Sequence, residues 1–325
     1  MNAKLPPLPD LDALMQITAR LKEARAVTSC LRGAKAGDLI RHIPGKRALF
    51  HGKLDGRNVV FRLNLTPENG ATQAEWAELQ RLWPYMATGD LRTPRPICAS
   101  PEHGIIVQEN VTGTPLMALL YTLEPRARSA WLTPAAAWLR KSTAMSEGWR
   151  AAGPDGWIAR AEAASAKQPF DELRALEVQI LSQMRRLKPA VTAQPWRTAI
   201  CHGDYHPNNL IADGRRLTGI DLGGSKRMPL LKDVARFAMH MGRRRLRLCG
   251  KTCLGVDHGC LTAFADALNM SAQERGAVLP FFLAFEALIR VENTRLPAAR
   301  IKRAERMYRA LTRDLDRTDI KATLF

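Results

Sequence analysis

The 325-residue sequence lacks a run of apolar residues long enough to cross a membrane. Its most apolar stretch, residues 278–289, is short and contains Glu286, which predicts a buried helix rather than a membrane span. We expect no cleaved leader, and we find neither an internal repeat nor a long low-complexity tract. With 46% apolar residues the chain can bury a large core, and its length predicts about two domains.

The six cysteines lack the spacing of a structural zinc site. Four candidate ligands crowd into one segment: Cys249, Cys253, His258 and Cys260. Structural zinc usually takes two separated pairs of ligands, with about two to four residues between the members of a pair. We therefore expect no zinc and interpret this cluster as reduced thiols of a cytoplasmic protein. The remaining three are interpreted as isolated core or near-core residues: Cys30, Cys98 and Cys201.

Acidic residues are scarce beside basic ones: 31 Asp and Glu stand against 49 Lys and Arg, a formal net charge of +18. The excess is concentrated in residues 226–325, which hold 20 basic and 10 acidic side chains. Residues 298–313 predict a helix with Ile301, Tyr308 and Leu311 on an apolar face and basic side chains around the rest. We expect that face to pack on the protein's own core. Peripheral contact of this basic helix with an anionic membrane is the alternative.

The most informative segment is residues 199–223, where apolar runs flank polar groups at fixed intervals. Asp204 is followed five residues later by Asn209, and a strand–turn–strand unit with its turn at Asp213-Gly214 leads to Asp221. A kinase catalytic loop needs this order, because the first Asp accepts the proton of the acceptor hydroxyl while the Asn and the later Asp hold magnesium beside the phosphates. The spacing therefore predicts phosphoryl transfer, with ATP and Mg²⁺ bound.

Residues 202–210, His-Gly-Asp-Tyr-His-Pro-Asn-Asn-Leu, resemble the catalytic loop of the aminoglycoside phosphotransferase and choline kinase family. That family has Gly, here Gly203, where eukaryotic protein kinases have Arg. Residues 229–235, Pro-Leu-Leu-Lys-Asp-Val-Ala, also resemble the segment in which the family keeps a structural Asp, here Asp233. The resemblance extends from about residue 40 to about residue 290 and is specific only in the catalytic loop.

The resemblance implies an α+β, two-lobed protein-kinase-like fold. Residues 1–110 would form a small antiparallel-sheet lobe, with a helical N-terminal extension, that covers the nucleotide. Residues 111–325 would form a larger, mainly helical lobe that carries the catalytic loop and binds the acceptor. In the first of these lobes, apolar runs at 48–54 and 58–63 joined by Asp55-Gly56 predict a β-hairpin.

The second strand of this hairpin carries the cation expected to bind phosphate. Two-residue alternation places Val60 and Arg62 on one face, so that Val60 would cover the adenine and Arg62 would reach the phosphates. The family more often has Lys at the position of Arg62, and Lys53 on the neighbouring strand is the alternative. No Gly-x-Gly-x-x-Gly precedes the strands. Lys46 and Arg47 would then either touch phosphate or lie in a solvated turn.

A carboxylate that pairs with Arg62 is expected on the helix that follows. Residues 72–83 have a helical pattern of apolar side chains, with Glu75 and Glu78 as candidates. We choose Glu75, because its distance from Leu82 fits the family pattern better. The alternative is a solvated glutamate on the helix surface.

Supporting roles follow from the same resemblance. The backbone from Gln108 to Asn110 would hydrogen-bond the edge of the adenine. His202 and His206 are expected to brace the catalytic loop rather than to act as bases, since each lies beside a better-placed carboxylate. Asp233 would buttress the loop by hydrogen bonds.

These residues together predict direct transfer of the γ-phosphoryl group of ATP to a hydroxyl of a small molecule, such as a sugar, an amino alcohol or an envelope or lipid-linked glycan. The positive charge favours a neutral or anionic acceptor over a polycation. We expect a cytoplasmic protein, with peripheral contact at the inner face of the membrane as an extension of that expectation. The alternatives are a weak or inactive kinase-like nucleotide-binding module and, on charge alone, a nucleic-acid-binding protein; no specific nucleic acid is predicted.

Overall fold

The computed structural model describes residues 11–316, so residues 1–10 and 317–325 of the predicted lobes lie outside it. The described chain forms two compact units. The first unit contains the chain up to Thr112 together with the segment Ile220–Gly223. The second unit contains Gly113–Gly219 and the chain from Gly224 onward.

The first unit contains two α-helices and a set of strands. The helices are α1 (Leu11–Val27) and α2 (Ala71–Met86). The strands are β1 (Lys35–Ile43), β2 (Arg47–Leu54), β3 (Arg57–Asn64), β4 (Leu91–Arg92), β5 (Pro96–Ser100) and β6 (Ile105–Glu109). All but β4 form a five-stranded antiparallel sheet in the order β1-β2-β3-β6-β5.

The predicted hairpin is confirmed as β2 and β3. Its two turn residues, Asp55 and Gly56, have φ angles of 50° and 79°, the positive values that a tight two-residue hairpin requires. In β3, Val59, Phe61 and Leu63 join a buried cluster that includes Ile17 of α1. Each fully buried side chain of this size contributes about 1.5–3 kcal/mol to stability. Alternation sends the residues between them to the opposite face of the sheet.

One expectation about the cysteines is wrong. Cys30 and Cys98, interpreted as isolated core or near-core residues, form a disulfide with their Cα atoms 6.2 Å apart. Cys98 belongs to β5 and is buried in the same cluster as Ile17, while Cys30 lies in the turn that follows α1. Sequence spacing could not reveal the pair, because 68 residues separate its members.

The second unit is mainly helical. Its helices are α3 (Leu116–Thr122), α4 (Pro125–Ser129), α5 (Leu132–Ala144), α6 (Asp155–Ser165), α7 (Asp171–Thr192), α8 (Leu231–Gly242), α9 (His258–Ala267), α10 (Leu279–Leu288) and α11 (Ala298–Asp316). Its strands are β7 (Thr114–Pro115), β8 (Gly148–Arg150), β9 (Trp196–Cys201), β10 (Leu210–Asp213), β11 (Arg216–Gly219), β12 (Lys226–Pro229), β13 (Thr252–Cys253) and β14 (Val256–Asp257). Strand β9 pairs with β12 and β8, and β10 pairs with β11 and β7.

The two helix predictions for the C-terminal part are confirmed. Helix α10 is buried along its whole length and packs against α6, α7 and α8. Its one charged residue, Glu286, is fully buried and lies 3.3 Å from Nζ of Lys232. Helix α11 buries Tyr308 and Leu311 and packs against α7, so its apolar face covers the protein's own core. Across residues 11–316, no helix is both long and apolar enough to span a membrane.

Candidate active site

The loop that carries Asp204 begins where β9 ends, in the second unit. Gly203 has a φ of +81°, a conformation that residues with a side chain adopt only at a cost. A β-carbon there would also overlap the carbonyl of Gly224. Both observations require glycine before Asp204, and the chain turns there so that the next side chain emerges half-exposed.

Helix α8 holds the backbone of this loop in place. The backbone N–H of Gly203 donates to Oδ2 of Asp233 at 3.0 Å, and the carbonyl of Gly203 accepts from Nζ of Lys232 at 2.8 Å. The hydroxyl of Tyr205 donates to the carbonyl of Ala135 at 2.6 Å. Asp233 is fully buried, and this burial raises the pKa of its carboxyl group above the usual range. The loop is therefore anchored by buried polar contacts on both sides of Asp204.

Asp204 has partners on both carboxylate oxygens. Arg236 Nε donates to Oδ1 at 2.8 Å, Arg290 Nη2 lies 3.4 Å from the same oxygen, and His206 Nε2 lies 3.3 Å from Oδ2. Burial opposes ionisation of Asp204, but the hydrogen bond from His206 and the charge of Arg236 outweigh it and hold the pKa well below its usual range. The carboxylate, 45% exposed, is therefore ionised at neutral pH.

The two histidines of this loop, His202 and His206, pack against different neighbours. The His206 ring stacks on His240 with ring centres 4.2 Å apart, and Asn208 Nδ2 lies 3.3 Å from Nε2 of His240. Burial first, and then the charges around it, lower the pKa of His240 to about 2, so this ring is neutral in the folded protein. His202 is buried and packs edge-on against Trp138, with ring centres 6.1 Å apart.

Asn209 lies one turn further along the loop. Its Nδ2 donates to the backbone carbonyl of Asp204 at 3.0 Å, which fixes the amide group. Because the nitrogen side is engaged in that bond, the amide presents its oxygen as the group available to a ligand. An amide oxygen is one of the ligands that hard divalent cations accept.

Asp221 belongs to the first unit. Its backbone has a φ of +63°, which is uncommon for a residue with a side chain and is found at functional sites. Arg47 donates to both of its carboxylate oxygens, at 2.8 and 3.0 Å, and Arg62 Nη2 donates to Oδ1 at 3.0 Å. Burial opposes ionisation, but the charges of Arg62 and Arg47 outweigh it and lower the pKa of Asp221.

Arg62 is also paired with the glutamate chosen from the sequence. Its Nε lies 2.8 Å from Oε1 of Glu75, and both side chains are 9% exposed. Burial raises the pKa of Glu75, while Arg62 counteracts part of that shift. For Arg62, burial alone would lower the pKa, but the two carboxylates raise it. Gly223 packs so closely here that a β-carbon would lie 2.8 Å from Oε2 of Glu75.

A small cavity of about 130 Å³ opens beside this cluster in the first unit. Lys46, Arg47 and Arg62 line it, together with Glu75 and Gly223. Two of the three cations therefore face the cavity while they also hold Asp221. Such a concentration of donors suits a polyanion such as phosphate.

The other residues singled out from the sequence lie elsewhere in the first unit. Lys53 is exposed near the turn of the hairpin, six residues along β2 from Arg47. Gln108 is buried in β6, where it pairs with Val60 of β3, and Asn110 follows the end of β6. Glu78, the other candidate partner for Arg62, accepts a hydrogen bond from Nε of Arg81 on its own helix at 2.6 Å.

Sequence reasoning missed part of the site. The sequence predicts Arg47 only as one of two turn cations, and the candidate residues that it indicates do not include Arg236 or Arg290. Arg47 and Asp221 are 174 residues apart, so no local pattern joins them. The one available signal is the position of Arg236 on α8, three residues after Asp233 and so near the same face of the helix.

Comparison with known proteins assigns this chain to a family. The profile of the phosphotransferase enzyme family matches residues 47–251, more than half of the chain. The protein therefore belongs to that family, which confirms the resemblance inferred from the catalytic loop. It is a small-molecule phosphotransferase with an alcohol group as acceptor.

Solved structures show the same fold. A choline/ethanolamine kinase family protein from Mesorhizobium loti has 16% sequence identity and a TM-score of 0.59, and the match covers 94% of this chain and 96% of that one. Amicoumacin kinase, solved with AMP-PNP and Ca²⁺, has 9% identity and a TM-score of 0.57, covering 92% and 96%. An aminoglycoside-3′-phosphotransferase of type VIII has 19% identity and a TM-score of 0.51, covering 82% and 98%.

At such identities the likeness concerns the fold alone. It confirms the predicted α+β, protein-kinase-like class, with an antiparallel-sheet part and a mainly helical part. A search of curated proteins found no match to this chain.

Proposed function

We propose that this protein transfers the γ-phosphoryl group of ATP to a hydroxyl group of a small molecule. The proposal rests on the position of Asp204. Its ionised, half-exposed carboxylate lies on a loop whose backbone is hydrogen-bonded to the buried residues Asp233 and Lys232. A rigid loop that presents one carboxylate to solvent is what positioning of an acceptor hydroxyl requires.

In this proposal Asp204 orients the acceptor hydroxyl and takes its proton. The acceptor oxygen forms a bond to the γ-phosphorus, the bond between that phosphorus and the bridging oxygen breaks, and ADP leaves. No covalent enzyme intermediate is needed. Asp233, His202 and His206 hold the loop, and in this scheme they do not exchange protons with the substrate.

The residues of the first unit fit a metal-bound triphosphate. The cavity beside Arg62 is lined by cations, and the strained backbone of Asp221 presents a carboxylate whose present partners are two arginines. We propose that Arg47 and Arg62 bind the phosphates, that Glu75 orients Arg62, and that Asn209 and Asp221 supply oxygen ligands to Mg²⁺. The metal, when bound, neutralises charge on the phosphates.

Three finer points belong to the same proposal. The backbone from Gln108 to Asn110 binds the adenine edge, and Lys53, which is exposed away from the cavity-lining cations, is not needed for phosphate. The acceptor is neutral or anionic, in the range of a sugar, an amino alcohol or an envelope or lipid-linked glycan. The protein acts in the cytoplasm, where the basic side of α11 allows peripheral contact with an anionic membrane surface.

The test compares wild type with Asp204→Asn and Asp221→Asn. We expect wild type to show a thermal shift with Mg-ATP and to release ADP. Asp204→Asn should keep the shift but lose at least about 100-fold in turnover, the usual range for a general base. Asp221→Asn should lose the Mg-dependent part of the shift. Asp171→Asn, whose side chain is 87% exposed, is the matched control and should behave as wild type.

Two other outcomes would change the conclusion. A Mg-ATP shift without ADP release, with or without a panel of hydroxyl acceptors, would identify an inactive kinase-like nucleotide-binding module. No shift at all, combined with steeply salt-dependent binding to random DNA, would replace the proposal with nucleic-acid binding.

A further inference from the structure

The surroundings of Asp204 in the second unit hold more positive than negative charge. Arg236 and Arg290 both contact Asp204, so two guanidinium groups share one carboxylate. Of the two, Arg290 has 40% of its side chain exposed. Its buried Nε makes no hydrogen bond within the described part of the chain and lies 3.7 Å from Oε2 of Glu286.

Glu286 cannot neutralise this group fully. Its other carboxylate oxygen, Oε1, lies 3.3 Å from Nζ of Lys232, the residue that anchors the catalytic loop. The same glutamate therefore serves two cations. Both carboxylates near Arg290 are therefore shared with a second cation: Asp204 with Arg236, and Glu286 with Lys232.

Arg244 follows the end of α8 and adds a further cation. Its Nη1 donates to the backbone carbonyl of His240 at 3.0 Å. Burial lowers the pKa of Arg244, and the charges of Arg300 and Arg236 lower it further. Burial and the charge of Arg236 also lower the pKa of Arg290. These arginines therefore repel one another, and Asp204 and Glu286 offset only part of their charge.

We infer that the acceptor carries an oxyanion, a phosphate or carboxylate group near the hydroxyl to be phosphorylated, and that Arg236 and Arg290 bind it. The inference rests on the proposed function of Asp204 and names the substrate class of that site. Guanidinium forks bind carboxylate and phosphate through paired hydrogen bonds, and Arg290, with 40% of its side chain exposed, is accessible to such a group.

The arrangement also explains how Asp204 becomes available to the hydroxyl. In the structure its Oδ1 accepts from Arg236 and lies near Arg290, and a carboxylate held in this way is a poor proton acceptor. An acceptor with its own oxyanion would draw the guanidinium groups to itself. Asp204 would lose part of their charge, gain basicity and receive the hydroxyl in their place.

The same charges disfavour cationic acceptors. An ammonium group brought near Asp204 would meet Arg236 and Arg290 at close range, and displacing Arg236 from Asp204 would leave a buried cation without its partner. Neutral acceptors would avoid the repulsion between cations but would not offset the charge of the arginines. The class of acceptor that gains from both arginines is the anionic one.

The experiment measures binding of matched probes by calorimetry to the full chain saturated with Mg·AMP-PNP, at constant ionic strength. The probes are inorganic phosphate, glycerol 3-phosphate against glycerol, and glucose 6-phosphate and gluconate against glucose. We expect at least one phosphate- or carboxylate-bearing probe to bind about 10-fold or more tightly than its neutral counterpart, the size of one charge-assisted contact. The phosphate and gluconate arms tell the two oxyanions apart.

Variants locate the site. The preference for the anionic probe should fall about 10-fold in Arg290→Gln. Arg309→Gln, which changes an exposed arginine paired with Glu305 on α11, should keep the preference. Circular dichroism checks that each variant folds.

The inference is overturned if no anionic probe binds better than its neutral counterpart, or if the preference survives in Arg290→Gln. Its failure is distinct from failure of the proposed function. ADP release and the Mg-ATP thermal shift of wild type are measured separately, and the anion titration is repeated without nucleotide if AMP-PNP does not bind. Oxyanion binding that depends on Arg290 supports the site in either case.

Discussion

Arg62 and Glu75 form a buried ion pair, with Nε of the arginine 2.8 Å from Oε1 of the glutamate. The other end of the same guanidinium donates to Asp221 at 3.0 Å. One planar fork thus serves two carboxylates through separate nitrogens. A lysine, with a single nitrogen on a flexible chain, could not reproduce this geometry. The pair gives a physical reason for arginine where the family more often has lysine.

We predict that Arg62→Met lowers the free energy of unfolding by about 3–5 kcal/mol, because it leaves Glu75 buried without its partner. The double variant Arg62→Met/Glu75→Met should recover most of that loss, since the unpaired buried charge is gone. Urea denaturation measures both. The exposed pair of Arg309 and Glu305 is the control, and its removal should change stability by less than about 1 kcal/mol. Equal stability of Arg62→Met and wild type would contradict the account.

Gly203→Ala should damage the catalytic loop more than an ordinary glycine substitution does. The residue has a φ of +81°, which costs about 1–2 kcal/mol with a side chain, and its β-carbon would overlap the Gly224 carbonyl, which adds about 1–3 kcal/mol. We expect a total loss near 2–5 kcal/mol by denaturant unfolding, with ADP release impaired even in the folded fraction.

Gly214→Ala is the matched control for that substitution. Gly214 also has a positive φ, +58°, but nothing lies within 4 Å of the place its β-carbon would take. The backbone cost should therefore appear alone, at about 1–2 kcal/mol. Indistinguishable losses at the two glycines would show that the contact with Gly224 is unimportant.

The features that the sequence predicted are those determined by residues close together in the chain. The Asp55-Gly56 turn specified its hairpin because two adjacent residues with positive φ suit one turn type, and the spacing from Asp204 to Asn209 lies within a single loop. Helix α10 followed from a continuous apolar run. In each case the residues involved are neighbours in the chain, so a local pattern carries the information.

The contacts that the sequence did not predict depend on packing between residues far apart in the chain. Arg47 meets Asp221 across 174 residues, and Arg290 meets Asp204 across 86; no periodicity links such positions. Many arginines in the second half of this basic chain were equally plausible partners for a carboxylate. The disulfide between Cys30 and Cys98 is not predictable from the sequence for the same reason, since 68 residues separate the two cysteines.

The disulfide between Cys30 and Cys98 should be present in protein purified without reductant. It closes a loop of 68 residues, and a crosslink of this kind stabilises by about 2–4 kcal/mol. We expect dithiothreitol to lower the free energy of unfolding of wild type by that amount and to leave Cys30→Ser/Cys98→Ser unchanged. Alkylation of denatured, unreduced protein should label Cys201, Cys249, Cys253 and Cys260, and labelling of all six cysteines would contradict the pairing.

Stability should depend on pH through His240. The ring is buried, stacks on His206 and lies beside Asn208, and burial followed by the nearby cationic groups lowers its pKa to about 2. An unfolded chain would protonate this histidine near pH 6.5. Below that value the unfolded state takes up a proton that the folded state refuses, so stability is complete above pH 6.5 and falls as the pH decreases towards 2.

We therefore expect wild type to lose about 2 kcal/mol of its stability through this residue between pH 7.5 and pH 5, by the linkage between proton binding and unfolding. His240→Gln keeps a polar group near Asn208 but cannot be protonated, so its stability should fall by about 2 kcal/mol less over the same interval. His51→Gln, on the exposed side of β2, should follow wild type. Urea denaturation at each pH gives the three curves; parallel curves for wild type and His240→Gln would mean that His240 is already solvated in the folded protein.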